Sequence, residues 1–397
     1  MEYIILIVCI LGIILDYIKN KKIYSPVIVF NTIFFVTLGL YLFRFSYLQQ
    51  VLSEKTKLLF LVHIMAFNIT SYLCSFIKFK TIKLPKLNLK LKKKKISFEK
   101  KLAIARGIVI LIFLIEVLYS GGFPLLWKIT NSTKTYFDYG IPSVHGAFNG
   151  LVICLGAYTL FKKRKDKFLY LGIGILIISR QVLMSMMLEA IIFNFLSTKF
   201  EKKQIKKYLI LGIIFVCMFN VIGNFRSGKD TMNHVFQPRE GYEKMPDSLK
   251  WIYSYMTFSI SNFNNLVSIT DGNINHGASM ALTLVPTVFL EIVHIEPKYN
   301  PNYLISPNYN TNTSFPEIYL DFGIYGIIGY GIFLALLGSF LFKRVSMSAL
   351  EGIQLIYAVY IHNILLLFFS NMFLYLPVII QIVYIIWLFG EKKDEKQ

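Results

Sequence analysis

Residues 162–207 read KKRKDKFLYLGIGILIISRQVLMSMMLEAIIFNFLSTKFEKKQIKK. A basic run, Lys162–Lys167, opens the stretch, and a second, Lys199–Lys207, closes it, with about thirty mainly apolar residues between. Short loops rich in Lys and Arg stay on the cytoplasmic side of a bilayer, so an even number of crossings must separate the two runs. The one interruption is Ser179-Arg180-Gln181. The stretch therefore predicts a hairpin of two helices, Phe161–Ser179 and Val182–Phe200, with Arg180 at the far turn and the basic ends snorkelling to the interface.

Working outward, the same pattern recurs. The chain has 397 residues, 55% hydrophobic and 16% charged, with a mean hydropathy of +0.56. A soluble domain carries about 25% charged residues, so there is too little polar surface to coat a water-soluble globule. Apolar runs of the length that crosses a hydrocarbon core fall at 3–18, 24–43, 57–77, 102–119, 143–161, 208–224, 317–342, 352–370 and 372–390. Backbone groups inside lipid must be satisfied within the segment, which selects helices; the alternating pattern of a barrel strand is absent. With the hairpin, the reading is an all-α polytopic integral membrane protein. It has about eleven transmembrane helices in a single domain spanning 1–397, its N-terminus outside and its C-terminus cytoplasmic.

The formal charge of +20 sits in loops that this topology places inside: 19–22, 78–101, 162–167, 199–207 and 343–351. Loop 78–101 alone carries eleven lysines. Attraction to anionic lipid headgroups explains such loops better than nucleic acid does. Cys9, Cys74, Cys154 and Cys217 all lie in apolar runs, so buried thiols are expected and not a disulfide framework. The first apolar run lacks a preceding basic region and a small-residue cleavage site, and reads as a retained helix, not a secretory signal.

The outside segments are 44–56, 120–142 and about 225–316. Connections as long as the last are commonly functional. It contains Trp251, Tyr253, Tyr255, Phe258 and Phe263 beside many Asn and Ser, and its stretches Leu249–Ile269 and Ala278–Val293 are moderately apolar. Asn262, Asn264, Asn265 and Asp271 make the first a poor span, so short interfacial or re-entrant helices are expected.

Candidate chemistry gathers on the outside. A guanidinium near lipid is costly unless paired or snorkelling, and Arg offers bidentate hydrogen bonds to phosphate. Arg180 and Arg226 are thus candidate clamps for a phosphate or pyrophosphate, with interfacial anchoring and a solvated loop start as the plain alternatives. Lys229 and Arg239 extend the basic cluster in a segment where cations are otherwise depleted. Glu317 and Asp321, four residues apart, share a helix face at the positive end of the next span; Glu317 is a candidate general base, with helix capping as the plain alternative. His276 is a candidate proton carrier. No HExxH or paired-Cys pattern supports a metal. His63, His362, Glu189 and Glu116 fall within spans and should face protein or a water-filled cavity. Gly323, Gly326, Gly329, Gly331 and Gly338 allow close helix approach.

Three features carry a resemblance: the Ser179-Arg180 step in a tight hairpin, Asn224-Phe225-Arg226 opening a large outside loop, and Phe315-Pro316-Glu317-Ile318-Tyr319-Leu320-Asp321-Phe322-Gly323 opening the following span. In these features the chain resembles the Wzy-type polymerases of bacterial O-antigen, capsule and exopolysaccharide assembly. It departs from an Arg-x10-Gly pattern of some members, since Gln237 and Lys250 stand at the positions counted from Arg226 and Arg239. The resemblance implies a glycosyltransferase that joins undecaprenyl-pyrophosphate-linked oligosaccharide repeat units at the outer face of the bacterial plasma membrane. It implies no cofactor or metal, with membrane lipids, a flippase and a chain-length regulator as partners. Under it, Arg226, Arg180 and Glu317 are the catalytic residues, while Lys229, Arg239, His276, Asp321, Trp251 and Tyr255 bind substrate and the aromatic segment 242–270 offers sugar-stacking faces. The alternatives are a lipid-linked oligosaccharide flippase, a related glycan ligase and a membrane acyltransferase. The first lacks support from an internal repeat, and the last lacks an early membrane His.

Overall fold

The computed structural model describes residues 1–77, 96–197, 231–286, 289, 294, 303–348 and 350–390. These are helical throughout, with one isolated bridge, Ser46–Pro238, and no strand among the described residues. The helices are α1 Glu2–Asn20, α2 Pro26–Phe43, α3 Glu54–Phe76, α4 Phe98–Ser120, α5 Pro124–Ile129, α6 Val144–Phe161, α7 Lys167–Leu176 and α8 Arg180–Ser197. They continue as α9 Thr231–Phe236, α10 Asp247–Ile269, α11 Ala278–Leu284, α12 Pro316–Met347, α13 Glu351–Leu365 and α14 Leu376–Phe389. Five of them, α2, α3, α4, α6 and α12, are long and apolar enough to cross a membrane, and α7 and α14 are shorter apolar helices. The predicted span at 208–224 lies outside the described residues.

Many apolar side chains remain in the open on helix faces: Leu118 is 81% exposed on α4 and Leu15 64% on α1. A water-soluble surface does not tolerate continuous faces of this kind; a lipid-facing one requires them. The interior is a layer of packed rings, with Phe30 stacked on Phe67 at 3.7 Å and Phe315 against Phe263 at 5.4 Å. Close helix approach is confined to particular glycines. A Cβ on Gly331 would meet the His63 carbonyl at 2.8 Å, and one on Gly150 the Pro377 carbonyl at 2.4 Å. Gly329 faces open space. Gly323 is a kink, with φ 58° inside α12.

The two ends of the bundle differ in chemistry. At one end the basic loops meet: Arg164 donates to both Glu99 oxygens at 3.0 and 3.1 Å, Lys162 pairs with Glu351, and Lys101 donates to the Trp387 carbonyl at 2.9 Å. Ser197 closes α8 at the same end, donating to Gln354 at 2.9 Å. At the other end lie 44–53, the turn before α8, the segment 231–286 and the α13–α14 loop.

The hairpin differs in detail from its sequence reading. The helix break falls at Ile177–Ser179, with Ile178 at φ 50°, slightly before the expected Ser179-Arg180-Gln181 turn, so that the second arm begins at Arg180 and not at Val182. Its first arm, however, is α7 Lys167–Leu176 and not Phe161–Ser179, because α6 extends to Phe161 and a turn with Lys163 at φ 53° intervenes. At about 1.5 Å per residue, α7 covers roughly half a hydrocarbon core.

The segment read as a long loop contains three described helices, two of which start within two residues of the predicted apolar stretches. Helix α10 is not among the helices apolar enough to cross, and its asparagines explain why. Buried Asn262 donates to the carbonyls of Tyr309 at 2.9 Å and Thr311 at 2.7 Å and accepts from the Ile305 N–H at 2.8 Å. Asn264 accepts from the Ser53 N–H at 2.8 Å, and Asn265 donates to the Tyr303 carbonyl at 2.7 Å. Buried backbone without secondary structure must find partners, and here one helix supplies them.

Candidate functional site

The restart of the chain at α8 creates the site. Ser179 is buried, and its hydroxyl accepts from the Val182 N–H at 3.3 Å, so it caps the new helix. Arg180 is therefore the first helical residue, a cation at the positive end of an 18-residue helix, where it is disfavoured by the helix dipole by about 0.3–1 kcal/mol. Two groups of α10 offset this. The Arg180 guanidinium lies 5.8 Å over the Trp251 ring and donates to the Tyr255 hydroxyl at 3.4 Å. Trp251 and Tyr255 face together because they are four residues apart, with ring centroids 5.9 Å apart.

The aromatic row continues to Phe369 in the α13–α14 loop, 5.4 Å from Tyr255. Gln181 reaches the Met372 sulfur of that loop at 3.7 Å. A guanidinium, a helix N-terminus and a row of rings thus meet at the end away from the basic loops. A helix N-terminus and a guanidinium both favour an anion; Trp251 is buried in the packing, and Tyr255 is the ring of the pair left half-buried beside it.

Glu317 is in the first turn of α12, and its Oε2 is buried with no hydrogen-bond partner among the described residues. No contact joins it to Arg180. The α13–α14 loop connects the two regions: Asn371 donates to the Ser314 carbonyl at 3.0 Å and accepts from Tyr330 Oη at 3.0 Å.

The remaining expected site residues are placed differently. Arg226 and Lys229 lie outside the described residues. Arg239 gives Nε to the Ser46 carbonyl at 3.3 Å and Nη2 to the Gln49 carbonyl at 3.2 Å, which uses its guanidinium to hold two loops together. Asp321 is fully buried, and its two oxygens accept from the Ser279 and Met280 N–H groups at 3.0 and 2.9 Å. It caps α11 from a distance, so the carboxylate pair divides into one satisfied member and one unsatisfied member. His276 is exposed in a turn at φ 49°. The aromatic segment is mostly packing and not an open sugar platform. Phe258 and Phe263 are fully buried, and Tyr253 gives its hydroxyl to Gln49 Oε1 at 2.8 Å.

Two polar clusters pair Glu116, Glu189 and His362, which the sequence expects to face protein, with partners it does not indicate. At the end bearing Arg180, buried Glu116 meets His145 at 2.9 Å, and the loop residue Tyr139 packs edge-on to that ring at 5.4 Å. Burial first, and then the Glu116 charge, push the Tyr139 phenol upward. Deep in the bundle, the Ser185 hydroxyl lies 3.2 Å from His362 Nε2, and Glu189 Oε1 lies 3.1 Å from His362 Nδ1 without hydrogen-bond alignment. Gln381 donates to the other Glu189 oxygen at 2.5 Å. Ser185 and Glu189 share a face of α8, but their partners are 177 and 192 residues away in sequence. His63 also reaches across helices, with Nδ1 3.0 Å from the Ile327 carbonyl, while its Nε2 is buried without a partner among the described residues.

Among the described residues no group of three or more His, Cys, Asp or Glu is arranged to hold a metal ion. Set against known proteins, the chain matches no family model, no curated protein and no solved structure.

Proposed function

We propose that the chain is a polymerase that joins lipid-pyrophosphate-linked oligosaccharide repeat units at the outer face of a bacterial plasma membrane. In this reading the eleven-span topology holds, the basic loops face the cytoplasm, and the end bearing Arg180 faces out. The observation that carries it is the meeting of Arg180 with Trp251 and Tyr255 at the end away from the basic loops.

The chemistry is a glycosyl transfer. The bond between the donor sugar C1 and its pyrophosphate oxygen breaks, and the diphosphate leaves with the electron pair. The acceptor hydroxyl oxygen forms the new bond to C1, and its proton passes to a base. Negative charge grows on the leaving group, so fixed positive groups aimed there lower the barrier. Arg180 and the α8 N-terminus serve that role, with Arg226 and Lys229 as further cations. The Glu317 carboxylate, whose Oε2 is buried without a partner among the described residues, receives the proton or orients the hydroxyl, and the half-buried Tyr255 ring offers a face to the sugar.

Cells expressing Arg180→Ala at normal levels should lose the long-chain glycan ladder, while Arg180→Lys keeps the charge without the fork and retains short chains. An unchanged ladder in Arg180→Ala rejects the assignment.

The Ser185–His362–Glu189–Gln381 cluster favours one second reading, a flippase for the same lipid-linked substrate. Titratable pairs buried within spans mark proton relays in transporters. Vesicles that move a labelled lipid-linked repeat unit, and stop doing so with Glu189→Gln, would select it over the polymerase.

A further inference from the structure

At the basic end a cavity of about 700 Å³ opens between α1, α2, α3 and α12. Leu15, Val27, Ile69 and Phe342 form apolar wall, while Lys19, Lys22 and Lys343 also line it. Each ammonium reaches a neutral oxygen, and Lys19 also lies near the Asp16 charge. Lys19 donates to the Ser75 hydroxyl, Lys22 to the Ser346 hydroxyl at 3.1 Å, and Lys343 to the Cys74 and Ile77 carbonyls at 2.7 and 2.5 Å. Lys19 lies 4.7 Å over the Phe76 ring and Lys22 5.5 Å over the Phe342 ring. Asp16 is the one carboxylate lining the cavity among the described residues, and its Oδ1 is engaged by the Asn20 amide at 2.7 Å.

Lysines at helix C-termini are ordinary, since the dipole favours them there. Three of them lining one apolar-walled cavity, against one carboxylate, are not explained by the dipole alone. Like charges lining one cavity repel, and a bound anion relieves that repulsion. The walls add a second requirement, because a small hydrated anion would leave the apolar surface uncovered. An amphiphile meets both needs.

We propose that this cavity binds one anionic phospholipid, its phosphate at Lys19, Lys22 and Lys343 and an acyl chain along Leu15, Ile69 and Phe342. The site is distinct from the Arg180 region and lies at the opposite end of the bundle. It rests on the chain lying in a bilayer, and not on the polymerase reading.

The test titrates phosphatidylglycerol and phosphatidylcholine of the same acyl composition onto the purified, delipidated full chain, with bound lipid counted by native mass spectrometry. Phosphatidylglycerol should fill one site well before phosphatidylcholine does. Each lysine replaced should weaken that site roughly fivefold, as expected for a basic side chain near an anionic headgroup. The triple variant Lys19→Gln, Lys22→Gln, Lys343→Gln should abolish the preference. Ile69→Trp, which fills the apolar part at a position 53% exposed, should weaken binding with the charges intact. Equal affinity for the two lipids, or a triple variant that keeps the preference, overturns the proposal. So does displacement of the lipid by millimolar inorganic phosphate alone, which would mark a free-phosphate site. The polymer-ladder assay is read separately, so failure here leaves the Arg180 assignment standing.

Discussion

Replacing Asn262 by Ala removes three hydrogen bonds at once. The side chain is fully buried on α10 and ties together Ile305, Tyr309 and Thr311. A buried hydrogen bond contributes about 0.5–1.5 kcal/mol net, and a buried group left without a partner costs about 1–3 kcal/mol. Three lost bonds therefore destabilise this segment by about 2–4 kcal/mol, toward the upper figure where water cannot reach the freed groups. Asn265, one turn along, is a built-in comparison. It is half-buried and makes one such bond, to the Tyr303 carbonyl, so Asn265→Ala should cost about 1 kcal/mol. Membrane proteins often unfold irreversibly, so the comparison is best read as a rate. The measurement is the half-life of purified protein in detergent at one fixed temperature, with limited proteolysis following cleavage between 303 and 312. Asn262→Ala should shorten the half-life markedly more than Asn265→Ala and open this segment to cleavage first. If the two variants are indistinguishable, α10 does not organise the segment, and the architecture at this end is wrong.

Other consequences follow from named contacts. Asp321→Asn should free α11, since one of its two charge-assisted acceptors is lost, costing about 1.5–3 kcal/mol; a cysteine at Ser279 should then label faster. Gly150→Ala drives a methyl into the Pro377 carbonyl and should cost about 1–3 kcal/mol by overpacking. Gly329→Ala meets open space and should leave the melting temperature unchanged or slightly raised, because Ala favours helix over Gly. Glu99→Ala, which removes the exposed carboxylate from its bidentate pair with Arg164, should shift stability by no more than about 1 kcal/mol, read in the same thermal assay.

Several features of the fold are legible because they are local. Basic runs flanking apolar runs announce helix ends, and the ends so marked do gather: Lys162 meets Glu351, and Arg164 meets Glu99. A lone Arg in an apolar run marks the break before α8. The Asn-rich character of 249–269 shows that it is unsuited to lipid, and the structure shows what those amides hold instead. The length of α7 differs because the sequence reading lets the first arm run back to Phe161 with Lys162–Lys167 snorkelling, whereas that basic run forms the turn, with Lys163 at φ 53°. The site divides along the same line. Trp251 and Tyr255 at a spacing of four predict a shared helix face, and Arg180 was singled out by its cost in lipid, yet nothing local predicts that they meet. Asp321 and Glu317 look alike in sequence; only the packing of α11 shows that the first is satisfied. Aromatic content alone does not distinguish packing from binding, and the structure buries Tyr253, Phe258 and Phe263. Glu116, Glu189 and His362 face protein as the sequence expects, but their pairing with His145 and Ser185 is long-range and leaves no local signature.

The central claim is that the Arg180 guanidinium, at the outer end of the bundle, engages a diphosphate of a lipid-linked glycan. Its most direct measurement keeps Arg180 and places a single cysteine beside it at position 181, modified by a membrane-impermeant thiol reagent in intact cells, with and without undecaprenyl pyrophosphate glycan accumulated by blocking acceptor supply. The account predicts labelling from the outside and its protection by the accumulated lipid-linked glycan. Labelling from the cytoplasmic face alone, or labelling indifferent to that lipid, contradicts it.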